Sequence, residues 1–174
     1  LGQTRSAISS IVSQNLGAGN LEKLKNFPAQ AIFFNIGLSI IVLASTWLFI
    51  DEIFKLLNAE GVILQLSLDY YYIRVWGFPL TLFTFAIFGL FRGLQNTFWP
   101  MVIAAIGTAV NIVLDITLVY GVDNYIPAMG VKGAAWASLI AQAIMAVIAL
   151  IILLKKTDLS LRLRFPLHPE IKRL

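Results

Sequence analysis

The sequence has no cysteine, one histidine and few charged residues, and each shortage excludes a class of protein. Without cysteine the chain has no disulfide framework, no thiol catalysis and no cysteine-ligated metal. The one histidine, His168, excludes zinc sites built from several histidines. Only 13% of the 174 residues are charged and 59% are hydrophobic, whereas soluble domains have about 25% charged residues. Because so little polar surface cannot cover a water-soluble globule, the composition predicts a multi-span membrane protein.

Motifs of hydrolytic and nucleotide-driven chemistry are also missing from the sequence. It contains no GxxxxGK(S/T) phosphate loop, no HExxH zinc motif and no GxSxG nucleophile turn. We therefore predict that the chain is not an enzyme and has no ATP site. The net charge of +4 is small and bears on membrane topology, so no nucleic-acid partner is expected.

Four windows are apolar over the length of about 20 residues that a bilayer-spanning helix needs. They are Pro28–Ile50, Val75–Phe91, Trp99–Tyr120 and Gly133–Leu154. The stretch from Leu1 to about Leu16 has the pattern of a helix that begins earlier, and short connectors, among them Asp51–Leu68, join the spans. The predicted fold is all-α: a polytopic transmembrane helix bundle of four full spans plus the end of a fifth in residues 1–157, followed by a cytoplasmic linker in 158–174.

Lysine and arginine are distributed unequally between the two predicted sides of the membrane. Of the 13 such residues, ten lie on one side: Arg5, Lys23, Lys25, Arg92, Lys155, Lys156, Arg162, Arg164, Lys172 and Arg173. The other three are Lys55, Arg74 and Lys132. The positive-inside rule places the first side in the cytoplasm, in a multi-pass protein of the cell membrane. We expect the basic tail to rest on anionic membrane lipid, each basic residue contributing about 1 kcal/mol.

Asp115 is a carboxylate inside a predicted span, where insertion costs at least about 2.5–3.5 kcal/mol at the helix centre. Asn111 lies four residues earlier on the same helix face, and Thr108 lies a further turn back. Together they offer oxygens and hydrogen-bond donors for a bound proton or Na⁺. The alternative is that Asp115 only reaches the outer interface or caps a neighbouring helix. The residues alone leave both alternatives open.

The second full span is interrupted by Gly77-Phe78-Pro79. Because proline removes an intrahelical hydrogen bond, the helix bends there, and broken helices of transporters line substrate sites or act as hinges. Gly77 and Pro79 are therefore candidates for a hinge or cavity, and the alternative is a simple packing kink. Gln142 is polar within an apolar span and either lines a cavity or forms a hydrogen bond to another helix.

Five segments together resemble the multidrug and toxic compound extrusion (MATE) family of transporters, in the order that the family has. They read SQNLGAGN at 13–20, YIRVWGFP at 72–79, FRGLQNT at 91–97, NIVLD at 111–115 and GVKGAAWAS at 130–138. In turn they resemble the end of the family's second helix, the entry of its fourth helix, a cytoplasmic turn, the fifth helix and the start of the sixth. The resemblance covers nearly the whole chain.

The resemblance implies one lobe of a twelve-helix transporter, from the end of helix two through helix six. Family members are antiporters that expel organic, often cationic, compounds in exchange for H⁺ or Na⁺. Asp115 and Asn111 match the amino-lobe cation site by motif, and Ser138 stands where the family often has threonine. The partners implied are a small organic substrate and a second lobe of the same chain, with the coupling ion in place of any cofactor.

Two other functions are consistent with the sequence. A lipid-linked oligosaccharide flippase of the same superfamily shares the lobe layout, and a wide cationic cavity would favour it. A cavity lined by aromatic and acidic residues would favour export. A non-transporting membrane assembly subunit would place Asp115 against a protein partner or lipid headgroups.

Overall fold

The computed structural model of the chain describes residues 2–122 and 125–156. These residues form six α-helices and no strand, in the order α1 (Gly2–Gly17), α2 (Leu21–Leu56), α3 (Gly61–Arg74), α4 (Gly77–Gly93), α5 (Phe98–Tyr120) and α6 (Val131–Lys156). The predicted linker at 158–174, which includes His168, lies outside the described residues.

The predicted bundle of transmembrane helices is confirmed. Three helical stretches are long and apolar enough to cross a membrane: Asn26–Leu56, Phe98–Tyr120 and Val131–Lys155. Helices α3 and α4, taken together, are also long and apolar enough to cross a membrane, although the pair is bent by 46° at the break between them. The described residues therefore hold three spans, or four when the bent pair is one span, in agreement with the four apolar windows.

The prediction of a connector over Asp51–Leu68 is wrong for most of its length. Helix α2 continues to Leu56 and α3 begins at Gly61. The charged residues at 51–55 end the apolar window without ending the helix, because charged side chains are tolerated wherever a helix leaves the bilayer. The helices separate only where the backbone turns left-handed, at Asn58 and Gly61, each with φ of 56°.

Helix α4 is the centre of the bundle and is buried on nearly every side. Leu82, Ala86 and Ile87 are fully buried, and Phe91 is almost so. The helix packs against α1, α2 and α6 and has weaker contacts with α3 and α5. Its sequence is free of charge as far as Arg92, so it can be surrounded by protein without burying an unpaired charge.

Glycine allows α1 to approach α4 closely. A Cβ at Gly89 would lie 2.8 Å from the backbone oxygen of Arg5, and one at Gly93 would lie 2.9 Å from that of Ser9. Both contacts are closer than real Cβ atoms show, so only glycine fits. The two glycines form a GxxxG pair, which allows this kind of contact between membrane helices. The residue numbers of the two helices increase together, so α1 and α4 run parallel.

Arg5, counted among the cations of the cytoplasmic side, lies within helix α1 and its side chain points into the bundle. Its guanidinium carbon lies 5.5 Å from the ring centroid of Phe85, within the bundle. Its Nε is buried and has no hydrogen-bond partner among the described residues. Twelve residues of helix separate Arg5 from Gly17, which is about 18 Å at 1.5 Å per residue. That distance keeps Arg5 away from the turn after α1.

Helices α5 and α6 form an antiparallel hairpin with extensive contact. Gly107 of α5 faces Met145 of α6, and Gly133 of α6 faces the backbone carbonyl of Leu118. The backbone N–H of Met129 donates to that same carbonyl at 2.9 Å, which satisfies one of the free carbonyls at the end of α5. The hairpin therefore holds α5 at a fixed level beside α6.

We expect Gly133→Ala to destabilise the protein because the added methyl group would collide with the carbonyl of Leu118. The backbone must move to accommodate it, and overpacking of this kind lowers the free energy of unfolding by about 1–3 kcal/mol. The measurement is denaturant unfolding of the full-length protein in detergent micelles.

Gly37→Ala is the matched control, since an added Cβ at Gly37 has no neighbour within 4 Å. Alanine is favoured over glycine in a helix by about 1 kcal/mol, so this variant should be no less stable than wild type. Equal losses in both variants would contradict the close contact between α5 and α6.

Candidate functional site

The predicted cation-coupling residues lie on the hairpin of α5 and α6. Asn111 is one turn beyond Gly107, on the side of α5 that faces α6, and Asp115 lies one turn further at the edge of that side. Both side chains are half-buried. The Nδ2 atom of Asn111 is buried and has no hydrogen-bond partner among the described residues. A buried donor without a partner costs free energy, so an acceptor that binds there reversibly would be stabilised.

Thr108 and Ser138 stand apart from that pair. The side chain of Thr108 is exposed, because the neighbouring Gly107 occupies the contact with α6. Ser138 is half-buried in α6, in the stretch between Gly133 and Met145 that lies beside Asn111 and Asp115. Within the described part of the chain, no hydrogen bond or ion pair joins Ser138 to Asp115.

The predicted hinge coincides with the break between α3 and α4. The two helices meet at Val75 and Trp76 and are bent by 46°. Gly77 is the first residue of α4, so Pro79 falls in its first turn. There the missing N–H of proline has no intrahelical acceptor to lose. Proline thus starts α4, and the bend lies just before it.

A cavity of about 730 Å³ opens at this break. It is lined by Phe54, Ile63, Leu66, Ser67, Tyr70, Tyr71, Arg74, Val75, Gly77, Phe78, Thr81, Val131 and Gln142. Two of the predicted hinge or cavity residues, Gly77 and Gln142, are therefore in the lining, and Pro79 is not. Ser138 lies four residues before Gln142, on the same face of α6.

The polar centre of this cavity is a bond between Arg74 and Gln142. The guanidinium Nη1 of Arg74 donates to Oε1 of Gln142 at 2.8 Å. Gly77 makes room for the bond: a Cβ there would lie 2.6 Å from the Arg74 nitrogen and would collide with the Gln142 oxygen. Gly77 therefore leaves the space that this bond occupies, and a larger residue there would have to displace the ends of Arg74 and Gln142.

Arg74 is a cavity residue that sequence reasoning missed. The charge pattern of the sequence places Arg74 on the outer side as one of three cations, and Gln142 is 68 residues away along the chain. A signal was available, because Arg74 lies three residues before Gly77 and therefore one helical turn from the predicted break.

Among the described residues, no three acidic or histidine side chains are grouped as metal ligands.

The chain matches a known protein family. The MatE family profile matches residues 3–117. The chain is 28% identical over 152 residues to "Probable multidrug resistance protein NorM" of Thermotoga maritima, covering 87% of this chain and 32% of that protein. It is 28% identical over 147 residues to "Multidrug export protein MepA" of Staphylococcus aureus, covering 84% of this chain and 32% of that protein.

A third relative is "DNA damage-inducible protein F" of Escherichia coli, 26% identical over 151 residues, with 87% of this chain and 32% of that protein covered. The chain thus spans about a third of the length of the curated relatives that it matches.

Solved structures share the fold. A MATE transporter of the MOP superfamily in its inward-facing conformation superimposes with a TM-score of 0.82 at 24% identity, over 90% of this chain and 34% of that chain. A MATE structure in the bent conformation gives a TM-score of 0.83 at the same identity and coverage. The arrangement of α1 to α6 is therefore that of one part of a MATE transporter.

We expect Arg74 and Gln142 to be coupled in a double-mutant cycle of Arg74→Gln and Gln142→Leu. A hydrogen bond to a charged group contributes about 1.5–3 kcal/mol, and partial exposure of this pair favours the lower end. The readout is the free energy of unfolding of the full-length protein in detergent, compared across wild type, single variants and double variant.

The control cycle uses Lys132 and Asp69, which form an ion pair at 3.2 Å with 52% and 34% of their side chains exposed. Exposed pairs couple by about 0.2–1 kcal/mol. Coupling between Arg74 and Gln142 that does not exceed this control would contradict their bond.

Proposed function

The chain belongs to the MATE family of multidrug efflux transporters, and from this premise we propose that it is the amino-terminal lobe of a secondary active antiporter. The complete transporter exports organic, cationic compounds in exchange for H⁺ or Na⁺. The observation that carries the proposal is that the half-buried Asp115 carboxylate and the unpartnered Nδ2 of Asn111 lie on one side of α5.

Asp115 suits a coupling role because of the charge it holds within a span. No ion pair or hydrogen bond of Asp115 is present among the described residues. A carboxylate within a membrane-spanning helix costs free energy unless a cation or a proton compensates for its charge. Carboxylate and amide oxygens are also ligands that Na⁺ and other hard cations accept, so Asp115 and Asn111 offer a site to either coupling ion.

Coupling follows if the ion binds one conformation of the lobe more tightly than the other. Neutralising Asp115 changes the charge on α5, and the bent α3–α4 pair gives the lobe a place to change shape. A ligand shifts such an equilibrium only by its difference in affinity for the two states. We infer that ion binding at Asp115 favours release of the exported compound and return to the inward-facing state.

A specific observation favours a second candidate, the lipid-linked oligosaccharide flippase of the same superfamily. The cavity at the α3–α4 break is lined by aromatic residues and Arg74, and no acidic residue is among its lining. The aromatic walls fit export of organic compounds, whereas the arginine fits a substrate that carries phosphate.

We expect Asp115→Asn to weaken gradient-driven efflux strongly in the full-length protein in proteoliposomes. The assay follows efflux of the fluorescent cation ethidium under an imposed pH gradient or Na⁺ gradient. Because asparagine can neither bind a proton nor contribute a charge to a Na⁺ site, the gradient-driven rate should fall by about tenfold or more, within the usual range of coupling free energies.

Asp69→Asn is the control, since Asp69 is an acidic residue outside the α5–α6 site and pairs with Lys132. This variant should retain efflux. If gradient-driven efflux by Asp115→Asn equals that of wild type, Asp115 has no role in coupling. Failure of both gradients to move ethidium in wild type would reject cation export and favour the flippase.

A further inference from the structure

We propose that the cavity at the α3–α4 break binds the anionic head of an amphipathic molecule, with Arg74 as the residue that recognises the charge. The class of ligand is a carboxylate, sulfonate or phosphate attached to an apolar body. The proposal concerns binding and does not depend on antiport at Asp115, which is not among the residues that line the cavity.

The charge of the cavity is the first argument. Arg74 is its one charged lining residue, and the polar remainder, Ser67, Tyr70, Tyr71, Thr81 and Gln142, is neutral. A guanidinium that is partly withdrawn from water is stabilised by an opposite charge, and no carboxylate lines this cavity to supply it. The cavity therefore attracts anions and repels cations.

The donors of Arg74 are the second argument. Its bond to Gln142 uses one of the five N–H donors of the guanidinium. The other donors form a planar fork that matches two oxygens of a carboxylate, sulfonate or phosphate. Gln142 holds the guanidinium against α6 through the space left by Gly77, so the fork is oriented before a ligand arrives.

Tyr71 provides a second donor. Its hydroxyl is buried and has no hydrogen-bond partner among the described residues, although Tyr71 lines the cavity. A buried hydroxyl without a partner costs about 1–3 kcal/mol, and an anionic oxygen of a ligand would accept a hydrogen bond from it. Tyr71 lies three residues before Arg74, one turn away on the same helix, so one head group can reach both.

The walls of the cavity fit an apolar body. Phe54 and Tyr71 meet edge to face, with ring centroids 6.3 Å apart, and Ile63, Leu66 and Phe78 extend the apolar surface. The volume of about 730 Å³ is within the range of about 300–1,000 Å³ that small-molecule sites have. The cavity therefore offers one cationic end and a large aromatic and aliphatic surface.

The first test measures the sign of the potential inside the cavity. The chain has no cysteine, so Ser67→Cys introduces one thiol into the lining, two helical turns from Arg74 on the same face. The full-length protein, with any other cysteines replaced by serine, is reconstituted in phosphatidylcholine nanodiscs. It reacts with two methanethiosulfonates of similar size, the anionic sulfonatoethyl and the cationic trimethylammonium-ethyl reagent.

The anionic reagent should react faster than the cationic one, relative to their rates with free 2-mercaptoethanol. Adding Arg74→Gln should lower this ratio by about tenfold, as expected when a unit charge two helical turns from the thiol is removed in a partly buried site. Arg74→Lys should keep the preference, and Arg92→Gln, which removes a cation at the far end of α4 and outside the cavity, should leave the ratio unchanged. A ratio that Arg74→Gln does not alter would overturn the proposal.

The second test identifies the source of the anion by protection of the same thiol from the neutral reagent N-ethylmaleimide. Protection by phosphatidic acid added to the nanodisc assigns the site to a lipid headgroup. Protection by water-soluble naphthalene-2-sulfonate assigns it to a soluble compound. Protection in either case must disappear with Arg74→Gln, and absence of protection in both cases overturns the ligand assignment.

The outcomes also separate this site from the proposed antiport. Loss of ethidium efflux in every condition, with the thiol still protected, would reject cation antiport and retain the anion site. Coupled efflux that depends on Asp115, with an unprotected thiol, would reject only the anion site.

Discussion

Close approach of the helices at glycine is the constraint on which the rest of the structure depends. Lipid tails are as apolar as leucine, so membrane helices gain little from hiding apolar surface and must associate through dense packing and hydrogen bonds. The contacts at Gly89 and Gly93 bring α1 onto α4, and those at Gly107 and Gly133 join α5 to α6. With α4 surrounded and α5 fixed beside α6, Gly77 lies where Arg74 can reach Gln142. Both polar sites are therefore consequences of how closely the helices pack.

Two polar sites of opposite charge border the same helix, α6. Asp115 brings a carboxylate to the side that α5 covers, and Arg74 brings a guanidinium to the side that α3 and α4 cover. Each has a neutral amide close by, Asn111 in one case and Gln142 in the other, and an amide can donate or accept as the state of its neighbour requires. A charge that has a neutral amide nearby and no opposite charge remains available to a ligand.

Local sequence properties predicted much of the fold, and properties that depend on spatial neighbours were missed. Apolar windows identified the spans because hydropathy is a property of each segment, and Gly77 and Pro79 identified the break because both residues act on their own backbone. The end of α2 was missed because the charged residues at 51–55 end a bilayer span but not a helix. The depth of Arg5 and the contact of Arg74 with Gln142 depend on how distant segments align, and no local pattern reports that. The coupling role of Asp115 and Asn111 came from motif and composition and stays a prediction.

The charges of the two sites determine which molecules each can hold. A cation is stabilised beside Asp115 and opposed beside Arg74, and the reverse is true of an anion, so one compound with a single charge cannot be favoured at both sites. An amphipathic anion in the α3–α4 cavity would neutralise Arg74 and leave α6 beside one uncompensated charge, that of Asp115. Occupancy of the cavity would then make the lobe more attractive to cations. The proposed export of cationic compounds is therefore compatible with a basic cavity at the α3–α4 break.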